Sequence, residues 1–486
     1  MTGAGRNSNN ITLFGGVDWW TVILYITLTI IGFVAVFSAS YVEESENFWS
    51  FSHEYIKHLV WLGLSYAIAL FILLIDRSSW HKYAYIICAV TLLIVLMTFT
   101  PLGKTVNGAR AWLGLGGFTL QPMEIAKVGI SLAVARLMSK YGFSVDHPAD
   151  MFKALCIIAV PMGIAVLQND TGSGLVFCSF LFMFYREGLN HWICVPIIFL
   201  VALLILSFLL TPGVLLIALI VIFTFSAGML MRNRWKACIK YVVWLFFVST
   251  ILFLVFAVAL NKDVNYYDCL LYTTVASIVV VIVYAYRANL RTLYFLILLF
   301  FVSVICLPTS DMVFHHLKAH QQNRIRTFLG QVDDKDLLYN VNQSKIAIGS
   351  GGFAGKGFLK GSQIRYGFVP EKHTDFIFCT IGEEFGFLGA LVLFSLMALL
   401  ILRLMRMGDR QLETFGRVYC YCVASILFFH CCINIGMTMG VVPVMGIPLP
   451  FISYGGSSLL GFTMLVFIAI ALDASPTKRQ STLRRW

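Results

Sequence analysis

The chain has 486 residues, 59% of them hydrophobic and only 12% charged, and a mean hydropathy of +0.84. That balance excludes a soluble globular domain and indicates an all-α polytopic membrane protein, taken here as one membrane domain over 1–486. The net charge of +11 is spread over short loops, not gathered on one basic face with stacking aromatics, which argues against nucleic acid as a partner.

In chain order, MTGAGRNSNN lacks the apolar core and small-residue cleavage site of a signal peptide, so the run that follows is expected as a retained first helix. Fourteen apolar runs recur, near 19–38, 57–75, 83–99, 122–138, 151–168, 172–185, 191–210, 213–230, 241–260, 268–286, 291–308, 378–402, 417–437 and 453–472. Lipid satisfies no open backbone group, so each is expected as a helix with its flanking loops on opposite sides. With the N-terminus cytoplasmic, the inside loops carry Arg77 and Lys82, Arg136 and Lys140, Arg186, Arg232 to Lys240, Arg287 and Arg291, Arg403 to Arg410, and the tail TKRQSTLRRW. The positive-inside rule is then met at every inside loop, and both termini are cytoplasmic. The outside loops include the acidic YVEESENFW and NKDVNYYD. Most of the twelve cysteines lie in apolar runs without metal-ligand spacing, and the adjacent Cys431 and Cys432 are read as packing residues.

Polar chemistry concentrates in the outer loops. The first, 100–121, contains Arg110, a residue type suited to gripping phosphate. The next helix opens with Glu124 and Lys127, three apart on one face, which reads either as a structural salt bridge or as the charged wall of a site. LQNDTGSG, 167–174, turns on the same side. The large outer loop, 309–377, holds NRIRTFLGQVDDKD and then the glycine-rich GSGGFAGKGFLKG. The glycines lack the ordered spacing of a phosphate-binding loop before a helix. Lys356 and Lys360, with the loop amides, remain candidates for the phosphate of a lipid-linked substrate.

FVPEKHTDFIFCTIGEEFGFLG, 368–389, sets His373 and Asp375 against the mouth of an apolar helix. Asp375 is either a partly desolvated general base or a helix N-cap. Glu383 and Glu384 follow, and one of them is a candidate partner for Lys127 or Arg110. Near the C-terminus, NIGMTMGVVPVMGIPLPFISYGGSSLL cannot cross lipid as an unbroken helix, so Pro443, Pro448 and Pro450 are expected to shape a broken or re-entrant element. Ser453, Tyr454, Ser457 and Ser458 offer hydroxyls at the outer end of the last helix.

Five blocks, NGARAWLGLGGFTLQPMEIAKV, LQNDTGSGLV, NQSKIAIGSGGFAGKGFLKGSQ, FVPEKHTDFIFCTIGEEFGFLG and GIPLPFISYGGSS, resemble in order the SEDS proteins of shape, elongation, division and sporulation. The match lapses between about 211 and 300. The wording IAIGSGG and the ending Gly361-Ser362-Gln363 resemble the elongation branch more than the division branch. The resemblance implies a peptidoglycan glycosyltransferase that polymerises lipid II at the outer face of the cytoplasmic (inner) membrane, inverting the MurNAc anomeric carbon. It places the family's essential aspartate on Asp375 and its other motif positions on Arg110, Glu124 and Lys127. His373, Lys356, Lys360 and Ser457 complete the expected substrate-binding set. A Pro-Asp-Leu-Gly-Thr motif is replaced here by Asn169, Asp170, Thr171, Gly172 and Ser173, which weakens a direct role for Asp170. Family members commonly have ten helices, so about four spans, 211–308, are expected as an insertion. The implied partners are a class B penicillin-binding protein transpeptidase and other elongation-complex proteins. No cofactor is assigned, and a divalent cation, Mg or Mn, stays open because it would suit a diphosphate leaving group. A lipid-linked precursor flippase and a noncatalytic cell-wall scaffold are the competing readings.

Overall fold

The architecture comes from a computed structural model that describes residues 16–41, 53–106, 108–115, 118–231, 235–259, 265–316, 322–324, 326 and 335–474. Outside the described residues lie MTGAGRNSNN, the acidic part of YVEESENFW, Arg232 and Arg234, part of NKDVNYYD, most of NRIRTFLGQVDDKD, and TKRQSTLRRW. Contacts divide the chain into two units, 1–190 with 335–486, and 191–334.

The first unit begins with α1 (Trp19–Ser40), where the Asp18 carboxylate accepts the Thr21 amide at 3.4 Å, a cap that satisfies an otherwise open donor. Helices α2 (Glu54–Leu74) and α3 (Arg77–Leu96) follow. The polar loop after them is a three-stranded antiparallel meander, β1 (Gly103–Val106), β2 (Ala109–Leu115) and β3 (Phe118–Leu120), with Gly103 opposite Leu113 and Leu113 opposite Leu120. Gly108, at φ +81°, turns β1 into β2. α4 (Pro122–Met138) has proline in its first turn with Glu124, and Arg136 in its last, which matches the helix dipole at both ends. α5 (Pro148–Leu167), α6 (Thr171–Leu175) and α7 (Phe180–Arg186) complete this stretch.

The second unit holds α8 (His191–Leu209), α9 (Pro212–Leu230), α10 (Trp235–Leu254), α11 (Tyr266–Arg287) and α12 (Arg291–His316). Leu216, Ile220, Leu245, Leu270 and Val304 are buried in its own core. It takes in residues 211–308. The first unit then resumes with α13 (Lys335–Ser350), α14 (Ser362–Arg365), α15 (Ile377–Asp409), α16 (Thr414–Thr438) and α17 (Gly456–Asp473). Between α16 and α17, residues 441–455 are not helical although 447 and 449–453 are buried. Their open backbone is met by protein: the Leu449 amide donates to Ser453 Oγ at 2.8 Å.

Ten helices among the described residues are long and apolar enough to cross a membrane: α1, α2, α3, α5, α9, α10, α11, α15, α16 and α17. The chain is therefore an all-α polytopic membrane bundle, with the small meander as an appendage to it. The other four apolar runs are helical as well. α4 has 17 residues with Glu124, Lys127 and Arg136 among them, the run at 172–185 is split into short pieces, and the remaining two are α8 and α12.

Opposite ends of the first unit are fixed by different chemistry. At one end Asp18 receives Arg403 at 2.5 Å and Arg410 at 2.8 Å, and Arg410 also holds Asp473, tying α1, α15 and α17 together. Burial would raise the Asp18 pKa, but the two guanidiniums outweigh it and hold the carboxyl below its usual range. At the other end lie the expected site residues.

Candidate active site

Glu124 and Lys127 form an ion pair at 2.7 Å, with 3% and 0% of their side-chain surfaces exposed. So dry a pair is costly unless its remaining polar capacity is met. Lys127 Nζ lies 2.9 Å from His430 Nε2 on α16 and 5.0 Å from the centre of the Phe462 ring on α17. His430 in turn meets the Pro448 carbonyl through Nδ1 at 3.1 Å. That acceptor fixes a proton on Nδ1 and leaves Nε2 to accept from the ammonium.

One turn further along α16, Asn434 donates from Nδ2 to the carbonyls of Asp375 and Ile447, both at 2.8 Å. His430 and Asn434 thus pin the non-helical 447–448 segment, one beside Lys127 and the other beside the backbone of Asp375. Gly446 turns there at φ +70°, and a Cβ on it would stand 3.5 Å from Asp375 Oδ2. The residue capping α15 is Phe376, without a side-chain cap bond, so Asp375 is not the N-cap its position allowed. His373 lies 3.1 Å from Glu54 on α2, and its carbonyl accepts the Tyr454 amide at 2.8 Å. Lys372 donates to the Ile364 carbonyl at 2.5 Å, and burial lowers its pKa. The Asp375 segment is therefore held from α2, α14, α16 and the 447–454 chain at once.

The glycine-rich loop has a structural task that its sequence did not disclose. α15 breaks at Gly386, φ +61°, and the loop satisfies the backbone groups freed there. The Lys356 and Gly357 amides donate to the Glu383 and Glu384 carbonyls at 3.0 and 2.9 Å, while the Phe387 amide donates to the Gly352 carbonyl at 2.9 Å. The approach demands glycine: a Cβ on Gly355 would stand 2.1 Å from the Glu384 carbonyl oxygen. Glu383 accepts Lys356 Nζ at 2.6 Å and the Gln363 and Ile364 amides at 2.9 and 3.0 Å. Glu384 accepts Ser38 Oγ and the Leu359 amide. Neither glutamate is paired with Lys127 or Arg110, a correction to the expected pairing. Both carboxylates instead meet the glycine-rich loop and α14, which dock where α15 breaks at Gly386.

Arg110 is exposed on β2, its amide bonded to the Gln168 carbonyl and its guanidinium to the Thr100 carbonyl, both at 2.9 Å. Asp170 caps α6 and accepts Gln121 Nε2 at 2.7 Å, so it braces the entry to α4. Lys360 is exposed, and Ser457 is buried in the first turn of α17. Sequence reasoning missed His430 and Asn434. Their signal was two polar residues four apart on one face of an apolar helix.

Fold and site together define a polytopic membrane protein whose polar groups converge at one end of a helix bundle, around a braced carboxylate-bearing segment and a buried charge pair. The family model for the cell cycle proteins FtsW, RodA and SpoVE matches residues 18–218 and 217–479. The chain belongs to that family. It is 29% identical over 460 residues to the peptidoglycan glycosyltransferase RodA of Treponema pallidum (strain Nichols), covering 94% of this chain and 97% of that one. It is 30% identical over 387 residues to the peptidoglycan glycosyltransferase MrdB of Escherichia coli (strain K12), covering 79% and 75%. In fold it is similar to a chain from a study of structural coordination of polymerization and crosslinking by a peptidoglycan synthase complex, with TM-score 0.59, 23% identity, and 94% and 97% of the two chains covered. The rod shape determining protein RodA of Thermus thermophilus gives TM-score 0.53 at 20% identity, with 94% and 96% covered.

Proposed function

We propose that this chain is a peptidoglycan glycosyltransferase that polymerises lipid II into β-1,4-linked glycan during cell elongation, with Asp375 as its general base. Membership of the family supports the activity. The observation that carries the residue assignment is the bracing of Asp375: its backbone is held by Asn434, which shares the 447–448 segment with His430 and, through it, Lys127. A general base must be held in position against the proton it takes.

In this mechanism the Asp375 carboxylate takes the proton of the acceptor GlcNAc 4-hydroxyl as that oxygen attacks C1 of the donor MurNAc. The C1–O bond to the diphosphate breaks and the anomeric carbon inverts. Diphosphate needs no protonation by a second acid, because positive charge stabilises it. Arg110 and Lys360, both exposed, are the substrate-facing cations, and His373 contributes a polar contact; Ser457, buried in the first turn of α17, is a packing residue there and not a substrate contact. Lys127 has no exposed side-chain surface, so it acts by setting Glu124 and His430. Lys356 supports the α15 break through Glu383. Among the described residues no three His, Cys, Asp or Glu side chains could by themselves hold a metal ion.

The same reading gives one membrane domain over 1–486, fourteen spans with four inserted at 211–308, and an extracytoplasmic loop over 309–377. Both termini face the cytoplasm and the site faces outward. The basic inside loops support this orientation. A class B penicillin-binding protein is the transpeptidase partner.

The test is lipid II polymerisation by the purified chain with that partner, comparing the parent with Asp375→Asn. The parent makes glycan; the variant, equally folded and partner-bound, makes none. Equal polymer from both would remove Asp375 from the mechanism, and lipid flipping without polymer from either would favour a flippase.

A further inference from the structure

At one end of the second unit, α9, α10, α11 and α12 leave a cavity of about 410 Å³, within the ~300–1,000 Å³ range of small-ligand sites. Phe223, Ala227, Tyr241, Trp244 and Tyr284 line it together with Lys240. The space is built into the packing. Trp235 lies flat against Gly228, where a Cβ would stand 2.6 Å from the indole, and so closes the α9–α10 tip beside the small Ala227. The walls are fixed by Tyr241 hydroxyl against Ser277 Oγ at 2.7 Å and by Phe223 stacked on Phe300 at 4.4 Å.

Around the same end, Lys236, Lys240 and Arg287 are exposed. Residues 231–241 and 284–292 carry Arg232, Arg234, Lys236, Lys240, Arg287 and Arg291 and no Asp or Glu. A cavity walled by apolar and aromatic groups does not hold water, so its natural filling in a bilayer is hydrocarbon. Lysine stems lie along apolar surface and carry their ammonium groups to headgroup level. Basic pockets between membrane helices select anionic headgroups.

We propose that this cavity binds an anionic phospholipid of the inner leaflet, with acyl chain in the cavity and phosphate headgroup against Lys236, Lys240 and Arg287. The leaflet rests on the orientation proposed above; the site itself does not.

The full chain in detergent, stripped of lipid, is offered phosphatidylglycerol or phosphatidylcholine of equal chain length, and retained lipid is read by native mass spectrometry. Phosphatidylglycerol is retained preferentially. Lys236→Gln with Lys240→Gln, both on the surface, weakens its retention by roughly thirtyfold and leaves phosphatidylcholine unaffected. Ala227→Trp, which fills the cavity, removes the preferential retention. Equal retention of the two lipids by the parent overturns the proposal, as does parent-level phosphatidylglycerol retention by either variant. The leaflet is read separately, by comparing Arg287→Cys with the parent, which already has exposed Cys156, Cys178 and Cys432, under an impermeant thiol reagent in intact cells: labelling no greater than the parent's supports the inner leaflet, and labelling above it overturns that assignment. None of these readouts uses polymerisation, so failure of the lipid site and failure of the enzymatic reading are distinguishable.

Discussion

Lys127→Met separates the structural worth of the buried charge pair from its part in the site. The substitution keeps the stem but leaves Glu124, 3% exposed, without its cation, and removes the ammonium from His430 and from the Phe462 face. Breaking one side of a buried pair costs about 3–5 kcal/mol, because the remaining charge is stranded in low dielectric. Glu124→Gln with Lys127→Met strands no charge, and its remaining cost is imperfect hydrogen bonding at the introduced amide and at His430, about 1–2 kcal/mol. The double variant is therefore more stable than Lys127→Met alone by about 2 kcal/mol. Reversible denaturant unfolding of the detergent-solubilised chain measures this, with lipid II polymerisation run on the same samples. The pair's role in the site predicts that the double variant folds yet polymerises poorly. A single variant that loses under about 1 kcal/mol, or a double no better than the single, would refute the reasoning about burial. A double variant that polymerises at the parent rate would reduce the pair to scaffold.

Gly386→Ala places a side chain at φ +61° and its Cβ 2.3 Å from the Gly355 amide nitrogen. With ψ −158° this is a conformation used almost only by glycine, and its backbone strain alone costs about 1–3 kcal/mol; the clash opens the glycine-rich loop, so cleavage of the 351–361 loop by limited proteolysis accelerates, and parent-like cleavage would contradict the clasp. Asp18 gives a pH dependence of known sign. Its folded pKa lies below the free value of 3.8, so its stabilising contribution is present above that value and lost as pH falls through the lower folded one. Asp18→Asn lowers the melting midpoint at neutral pH, and the gap to the parent closes below pH 3.8; a gap that persisted under acid would show that its arginine contacts are not the source.

The membrane class, the helical character of the apolar runs and the polar blocks at one end were legible in the sequence, because lipid forces apolar length and loop charge to report topology directly. Glu124 with Lys127 was legible too, since i,i+3 spacing on a helix brings side chains together whatever surrounds them. The partners of Glu383 and Glu384 were not: they depend on one backbone break at Gly386, which no periodicity encodes. The glycine-rich loop read as a flexible interfacial loop whose lysines could cradle a phosphate, because glycine permits close approach to anything, and only the packed chain shows that it approaches the α15 backbone. His430 and Asn434 were hidden for a related reason. A polar residue in an apolar helix states that it needs a partner, and tertiary packing decides that the partners are Lys127 and the carbonyls of Asp375, Ile447 and Pro448. Sequence by itself determined the elements and their chemistry. Which buried polar groups meet was decided only in three dimensions, because hydrogen bonds inside a bundle join residues on different elements, 303 positions apart for Lys127 with His430 and 59 for Asn434 with Asp375.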